Sequence, residues 1–139
     1  MLCQMEKQGE GSILNVASSA GLFPAGPYMA TYYATKSYVT SLTRAVALEL
    51  KEKKSNVYVG VLCPGPVDTE FNKVANVEFA IPSITPTYCA AYAIRKMEKR
   101  KIVIVPKNKM KVLAFISRVL PQSLVIRMTA RQQKKKRSW

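Results

Sequence analysis

The sequence predicts an α/β fold: a parallel sheet of three strands flanked by helices, continued by a basic helical extension. Two observations predict it. Short apolar runs alternate with longer stretches of helical period, giving strand, helix, strand, helix, strand, the order of crossover units. The short runs are apolar throughout rather than alternating, as suits strands covered on both faces.

The elements follow in order. Met1–Gln8 reads as the end of a helix, with Gly9 and Gly11 as stop signals. Ser12–Ala17 is a run rich in branched residues and reads as the first strand. Residues 18–27, rich in Gly, Ser and Pro, form a loop. A helix spans about 29–53, with Val39, Leu42, Val46 and Leu50 marking one apolar face. Asn56–Leu62 is the second strand, broken by Cys63-Pro64-Gly65-Pro66, and residues 68–83 form a loop with room for a short helix. Thr85 before Pro86 reads as an N-cap and first-turn proline of a helix reaching about Lys99. Lys101–Val105 is the third strand, closed by Pro106. Met110–Leu120 and Ser123–Ala130 read as amphipathic helices separated by Pro121, and Arg131–Trp139 as a solvated basic tail. The chain thus divides into a sheet domain (1–109), a helical extension (110–130) and a tail (131–139). Three parallel strands make a small sheet, and one edge is an apolar strand without a partner. The chain is therefore expected to be incomplete, or to pair along that edge.

Composition narrows the chemistry. Apolar residues make up 48% of the 139, enough to bury a core. The charge is lopsided: residues 95–139 carry fifteen Lys/Arg against Glu98 alone, and residues 1–94 are balanced. A nucleic-acid binder of uniform basicity would spread its charge differently, and no aromatic interleaving accompanies the cations, so nucleic acid is disfavoured as a partner. With no histidine, Ser-His-Asp and Cys-His catalysis and histidine metal sites are excluded. Cys3, Cys63 and Cys89 form neither a disulfide framework nor a metal-ligand pattern, which points to a reducing, cytoplasmic setting. Residues 1–11 lack the apolar core of a signal peptide, and no run is long enough to span a membrane.

The candidate chemistry lies at Tyr32 and Lys36. Four apart at the start of the long helix, they share one face, one turn apart. A free phenol titrates near about 10; a nearby cation favours the phenolate and suits a phenol to exchange a proton with a carbonyl or carbinol oxygen. Ser19 follows the first strand, at the carboxyl end of a parallel sheet, where open α/β sheets bind ligands. Its hydroxyl could bond the same substrate oxygen. Ser18 competes with Ser19, which is favoured by its spacing and by the Ala20-Gly21 that follows.

Together Asn15-Val16-Ala17-Ser18-Ser19-Ala20-Gly21, Tyr32-x-x-x-Lys36, Glu49-Leu50 and Pro64-Gly65-Pro66-Val67-Asp68-Thr69 resemble the short-chain dehydrogenase/reductase family over about residues 5–106. The resemblance implies the C-terminal half of a Rossmann-type sheet and NAD(P)-dependent interconversion of a carbonyl and a secondary alcohol. It implies Tyr32 as general acid/base, Lys36 as the group that tunes it and binds the nicotinamide ribose, and Ser19 as the group orienting the substrate oxygen. Pro64, Gly65, Val67 and Thr69, with Tyr32 and Lys36, would hold NAD or NADP. It further implies a homodimer through the Tyr32–Lys53 helix. The family's Gly-x-x-x-Gly-x-Gly turn, its adenosine-ribose selector and its Asn-Ala-Gly segment have no counterpart here, so the chain is expected to be truncated and to bind NAD(P) weakly or not at all.

Plainer roles stand beside these. Tyr33 and Tyr38 read as packing residues, Cys63 as a buried small apolar residue, and Asp68 as a cap. Leu22, Phe23, Pro24, Tyr28, Phe71 and the C-terminal helices suit an apolar, lipid-, acyl- or steroid-like substrate. The extension carries an apolar stripe flanked by Lys111, Arg118, Arg127 and Arg131, which suits peripheral contact of residues 110–137 with an anionic membrane; the plainer reading is cover for a pocket or an oligomer contact. A competing function is a non-catalytic remnant that dimerises or associates with a membrane surface.

Overall fold

The computed structural model describes residues 1–70 and 82–136, the side chains of the last two excepted. Its central strand, β2 (Tyr58–Leu62), is buried along its whole length. It lies between β1 (Ser12–Val16) and β3 (Val103–Ile104), and both pairings are parallel. The expected parallel α/β sheet is therefore present, with β1 on one edge. The strand ends are set by what they pair with. β2 begins at Tyr58 because its partner begins opposite, the Tyr58 N–H donating to the Gly11 carbonyl. The run Lys101–Val105 narrows to two ladder residues, although the Val61 and Cys63 N–H groups donate to Ile102 and Ile104.

Helices cover both faces. Helix α1 (Leu2–Gln8) ends at Gly9, whose φ of 81° is left-handed, the stop expected of a glycine there. Helix α2 (Ala30–Glu52) lies against the same face as α1; there Leu50, Val57 and Val59 pack with Leu2, Met5, Ile13 and Val46. Helix α3 (Pro86–Glu98) covers the other face, burying Cys89 and Ala93 against Leu62 and Ile104. It begins as its sequence requires: the Thr85 hydroxyl accepts from the Tyr88 N–H at 3.2 Å and proline occupies the first turn. A third cluster, at the carboxyl end of the sheet, joins Ala17, Val61, Cys63, Val105 and Met110, with Leu22 and Phe23 packed on it.

The buried face of α2 keeps Leu50, Val39 and Val46 of the expected stripe but not Leu42. It runs through Tyr33, Thr40, Thr43, Ala47 and Leu50; Val39 and Val46 flank it, and Leu42 is 47% exposed. Threonines can line a core here because their hydroxyls donate back to the helix, Thr40 to Lys36 and Thr43 to Val39, and Asn15 of β1 donates to Thr43 Oγ1 at 2.9 Å. Tyr38, expected to pack, stands exposed on the outer side with Leu42. Cys63 is fully buried as expected, and burial pushes its thiol pKa up.

Helices α4 (Asn108–Val119) and α5 (Gln122–Lys136) complete the described chain. The helix expected over 123–130 continues to Lys136, into the segment expected to be a solvated tail. Gln133 is buried there and donates from Nε2 to the Tyr33 hydroxyl at 2.9 Å. That bond gives a polar stretch a reason to stay helical and docked. Burial raises the Tyr33 pKa, and the Gln133 bond works against that shift. The stability linked to this proton is complete below the ordinary phenol range and is lost as pH rises through it. Tyr33→Phe would leave the Gln133 amide buried without its acceptor, costing about 1–3 kcal/mol in urea unfolding. Pairing it with Gln133→Leu should recover much of that loss; equal losses in single and double variants would show that the bond does not hold α5 down.

Candidate active site

Three loops leave the carboxyl ends of the strands, and two carry the expected residues. After β1 the chain runs through Ala17 and Ser18 into a 3-10 turn, Ser19–Leu22. Ser18 Oγ accepts from the Ala20 N–H at 3.1 Å and so caps this turn. The structure thereby separates the two serines: Ser18 serves the backbone, and Ser19 is the half-buried residue that opens the turn. The Ser19 N–H donates to the Pro64 carbonyl at 2.7 Å, locking the loop after β1 to the loop after β2.

The turn lies against the start of α2. At Gly21 an added Cβ would stand 2.4 Å from the Lys36 carbonyl oxygen and 2.6 Å from Thr40 Oγ1. Only a glycine lets the serine turn approach the helix so closely. Tyr32 and Lys36 are half-buried on that helix, with the Lys36 ammonium 5.8 Å from the Tyr32 ring centre. Lys36 Nζ also donates to the Val16 carbonyl, the last of β1, at 3.5 Å. The ammonium therefore sits over the end of the first strand, beside the serine turn and the phenol.

The loop after β2 forms the opposite wall. Pro64, Gly65, Pro66 and Val67 are half-buried, and Thr69 is exposed. A parallel bridge joins Val67 to Ile84, with the Asp68 N–H donating to Ile84 and the Ile84 N–H to Pro66. Gly65 faces Met110 of α4, whose Cγ would lie 3.1 Å from an added Cβ.

Tyr28 was expected beside the substrate, whereas Gln133 was assigned no role by sequence reasoning. Tyr28 holds a left-handed φ of 68°, a backbone state uncommon for an aromatic residue, and Lys134 of α5 lies 5.5 Å from its ring centre. With the Gln133–Tyr33 bond, α5 roofs the start of the helix bearing Tyr32 and Lys36. No local signal could have found Gln133, because its partner lies 100 residues away. Phe71 lies outside the described residues, and Leu22 and Phe23 pack into the core cluster around Val61 and Cys63.

A family model described as "short chain dehydrogenase" matches residues 1–78, more than half of the chain. The chain belongs to the short-chain dehydrogenase family. It is 46% identical over 65 residues to D-beta-hydroxybutyrate dehydrogenase of Rhizobium meliloti, covering 47% of this chain and 24% of that protein. It is 26% identical over 134 residues to very-long-chain 3-oxoacyl-CoA reductase of Anas platyrhynchos, covering 96% of this chain and 41% of that protein. The chain thus spans less than half the length of the curated relatives it matches. Among solved structures, a short-chain dehydrogenase of Burkholderia cenocepacia in complex with NADP superimposes with a TM-score of 0.72, at 20% identity, over 91% of this chain and 52% of that one. That likeness concerns the fold.

Proposed function

We propose that this chain carries the substrate and nicotinamide half of an NAD(P)-dependent oxidoreductase that interconverts a carbonyl and a secondary alcohol. The observation that carries this reading is the packing of the Ser19 turn onto the Tyr32/Lys36 helix at Gly21, over the ends of two parallel strands. In the reducing direction the Tyr32 phenol donates its proton to the carbonyl oxygen, and the Ser19 hydroxyl donates a hydrogen bond to the same atom. The Lys36 ammonium stabilises the negative charge that develops on the phenol oxygen. The bound dihydronicotinamide supplies the hydride.

The residues present fit one end of such a cofactor. The Ser19–Pro64 bond and the bridge from Val67 to Ile84 fix the two ends of the Pro64–Val67 segment, and Gly65 leaves room there for Met110. The chain has no glycine-rich turn for a pyrophosphate: its glycines stand at 9, 11, 21, 26, 60 and 65. The edge of β1, unpaired among the described residues, is where strands carrying such a turn would add, and the expected NAD(P) affinity of this chain by itself is weak. No side chain here selects NAD over NADP.

An apolar substrate of lipid, acyl or steroid type is supported by the exposed Tyr28 at the entrance and by the apolar C-terminal helices. Two relatives that match nine-tenths or more of the chain are named very-long-chain 3-oxoacyl-CoA reductase and retinol dehydrogenase 10. A second copy is the partner assigned to α2, whose outer side exposes Tyr38 and Leu42; such faces on one long helix suit a helix pair.

The test joins this chain to the N-terminal strand, glycine turn and helix of a full-length relative. The assay follows oxidation of NADPH or NADH with a long-chain 3-ketone and a ketosteroid. Turnover that depends on Tyr32 supports the reading. A folded chimera that binds cofactor but reduces neither ketone rejects it.

A further inference from the structure

The positive charge of the last third of the chain has no place in the reaction just described, and it is arranged together with exposed apolar surface. Helix α4 has two apolar faces. Met110, Ala114 and Ser117 point inward. On the opposite side Val112, Phe115, Ile116 and Val119 recur at three- and four-residue spacing, a second stripe turned to solvent. It is strongly exposed: 56% at Val112, 68% at Phe115 and 72% at Val119. An amphipathic helix of a globular domain needs one apolar face, so the outer one calls for a partner.

The surroundings of the stripe state the chemistry of that partner. Lys111 and Arg118 border it on one side and Lys109 on the other, all exposed. Helix α5 buries Val125, Thr129 and Gln133 and turns Arg127 and Arg131 outward, with exposed Leu124 and Met128 beside them. After Glu98 the chain holds no acidic residue. Among the described residues the ion pair lies elsewhere, between Lys53 and Glu6, and none of the described carboxylates pairs with these cations. No helix among the described residues is long and apolar enough to cross a membrane.

We infer that helices α4 and α5 form an interfacial membrane-binding surface, in which Val112, Phe115, Ile116 and Val119 enter an anionic bilayer while Lys109, Lys111, Arg118, Arg127 and Arg131 meet its lipid phosphates and carboxylates. Charge complementarity selects this occupant. A second copy would set cation against cation across the same face, and a nucleic acid would leave the apolar stripe in water. Interfacial binding draws on both terms, burial of the apolar face and attraction to anionic headgroups. The inference does not depend on catalysis, and its failure would leave the oxidoreductase reading untouched.

Co-sedimentation of the full chain with vesicles tests this. The chain should pellet with vesicles of phosphatidylcholine and phosphatidylserine, should stay in solution with phosphatidylcholine alone, and should be released by salt. Phe115→Ser with Val119→Ser should lower partition roughly tenfold or more, from the loss of two inserted side chains. Arg127→Gln with Arg131→Gln should lower it roughly fivefold per charge. All four positions are exposed, so circular dichroism should show the helices kept. Failure to pellet with the anionic vesicles at low salt overturns the inference. So does binding that Phe115→Ser with Val119→Ser leaves unchanged, which would mark an unspecific basic patch equally retained on duplex DNA. Loss of a dimer in that double variant without loss of vesicle binding would instead assign the stripe to a second copy.

Discussion

Tyr32→Phe should lower kcat/KM of the completed enzyme by roughly 10² to 10⁴, the range for removal of a positioned acid/base. The loss should fall on kcat, because the ring that shapes the pocket remains and only the transferred proton is gone. Stability should stay within about 0.5 kcal/mol, since Tyr32 is half-exposed and does not belong to the core clusters. Steady-state kinetics with urea unfolding on the same preparations reads both numbers. Ser19→Ala should cost less, because it removes one hydrogen bond to the substrate oxygen and leaves the proton donor. Retention of activity within a few-fold in Tyr32→Phe would remove the phenol from the chemistry.

Gly21→Ala should be the most damaging single methyl in the chain. Its Cβ would stand 2.4 Å from the Lys36 carbonyl oxygen and 2.7 Å from the carbon behind it. Those are backbone atoms of a long helix and cannot swing aside as the end of a side chain can. The serine turn must lift off α2, which strains the Ser19–Pro64 bond and opens the packing of Leu22 and Phe23. The expected cost is about 1–3 kcal/mol or more in unfolding free energy, together with a fall in activity larger than that of Ser19→Ala, because serine and phenol lose their common register. Gly9→Ala makes the contrast. Nothing lies within 4 Å of its added Cβ, although its left-handed φ still carries a strain cost. If Gly21→Ala matched wild type in both measurements, the close approach of turn and helix would not be what sets the site.

The order of elements was legible because its signals are local. The branched run Ser12–Val16, the proline and glycine breakers after Cys63, the Thr85-Pro86 start and the Gly9 stop each act within a few residues, and the structure obeys them. Ser19, Tyr32 and Lys36 could be named as candidates for the same reason: the strand end and the start of the helix are local signals, while the close packing of turn on helix at Gly21 is tertiary. The inner face of α2 was legible in part: Val39, Val46 and Leu50 pack inward as their spacing suggests. Hydropathy also favoured Leu42, yet Thr40 and Thr43 went inward, because Asn15 on β1 and Cys63 just after β2 offered them partners that no sequence window contains.

What the sequence by itself determined is the α/β order, the candidate catalytic trio and the concentration of positive charge after residue 94. Tertiary structure decided which serine is spent as a cap, which face of α2 is buried, and that the basic end continues as a docked helix rather than a loose tail. The reason is range. Helical period and turn chemistry act over a few residues, whereas the bond from Gln133 to Tyr33 and the second apolar face of α4 exist only once distant segments have been brought together and the inward faces are already filled.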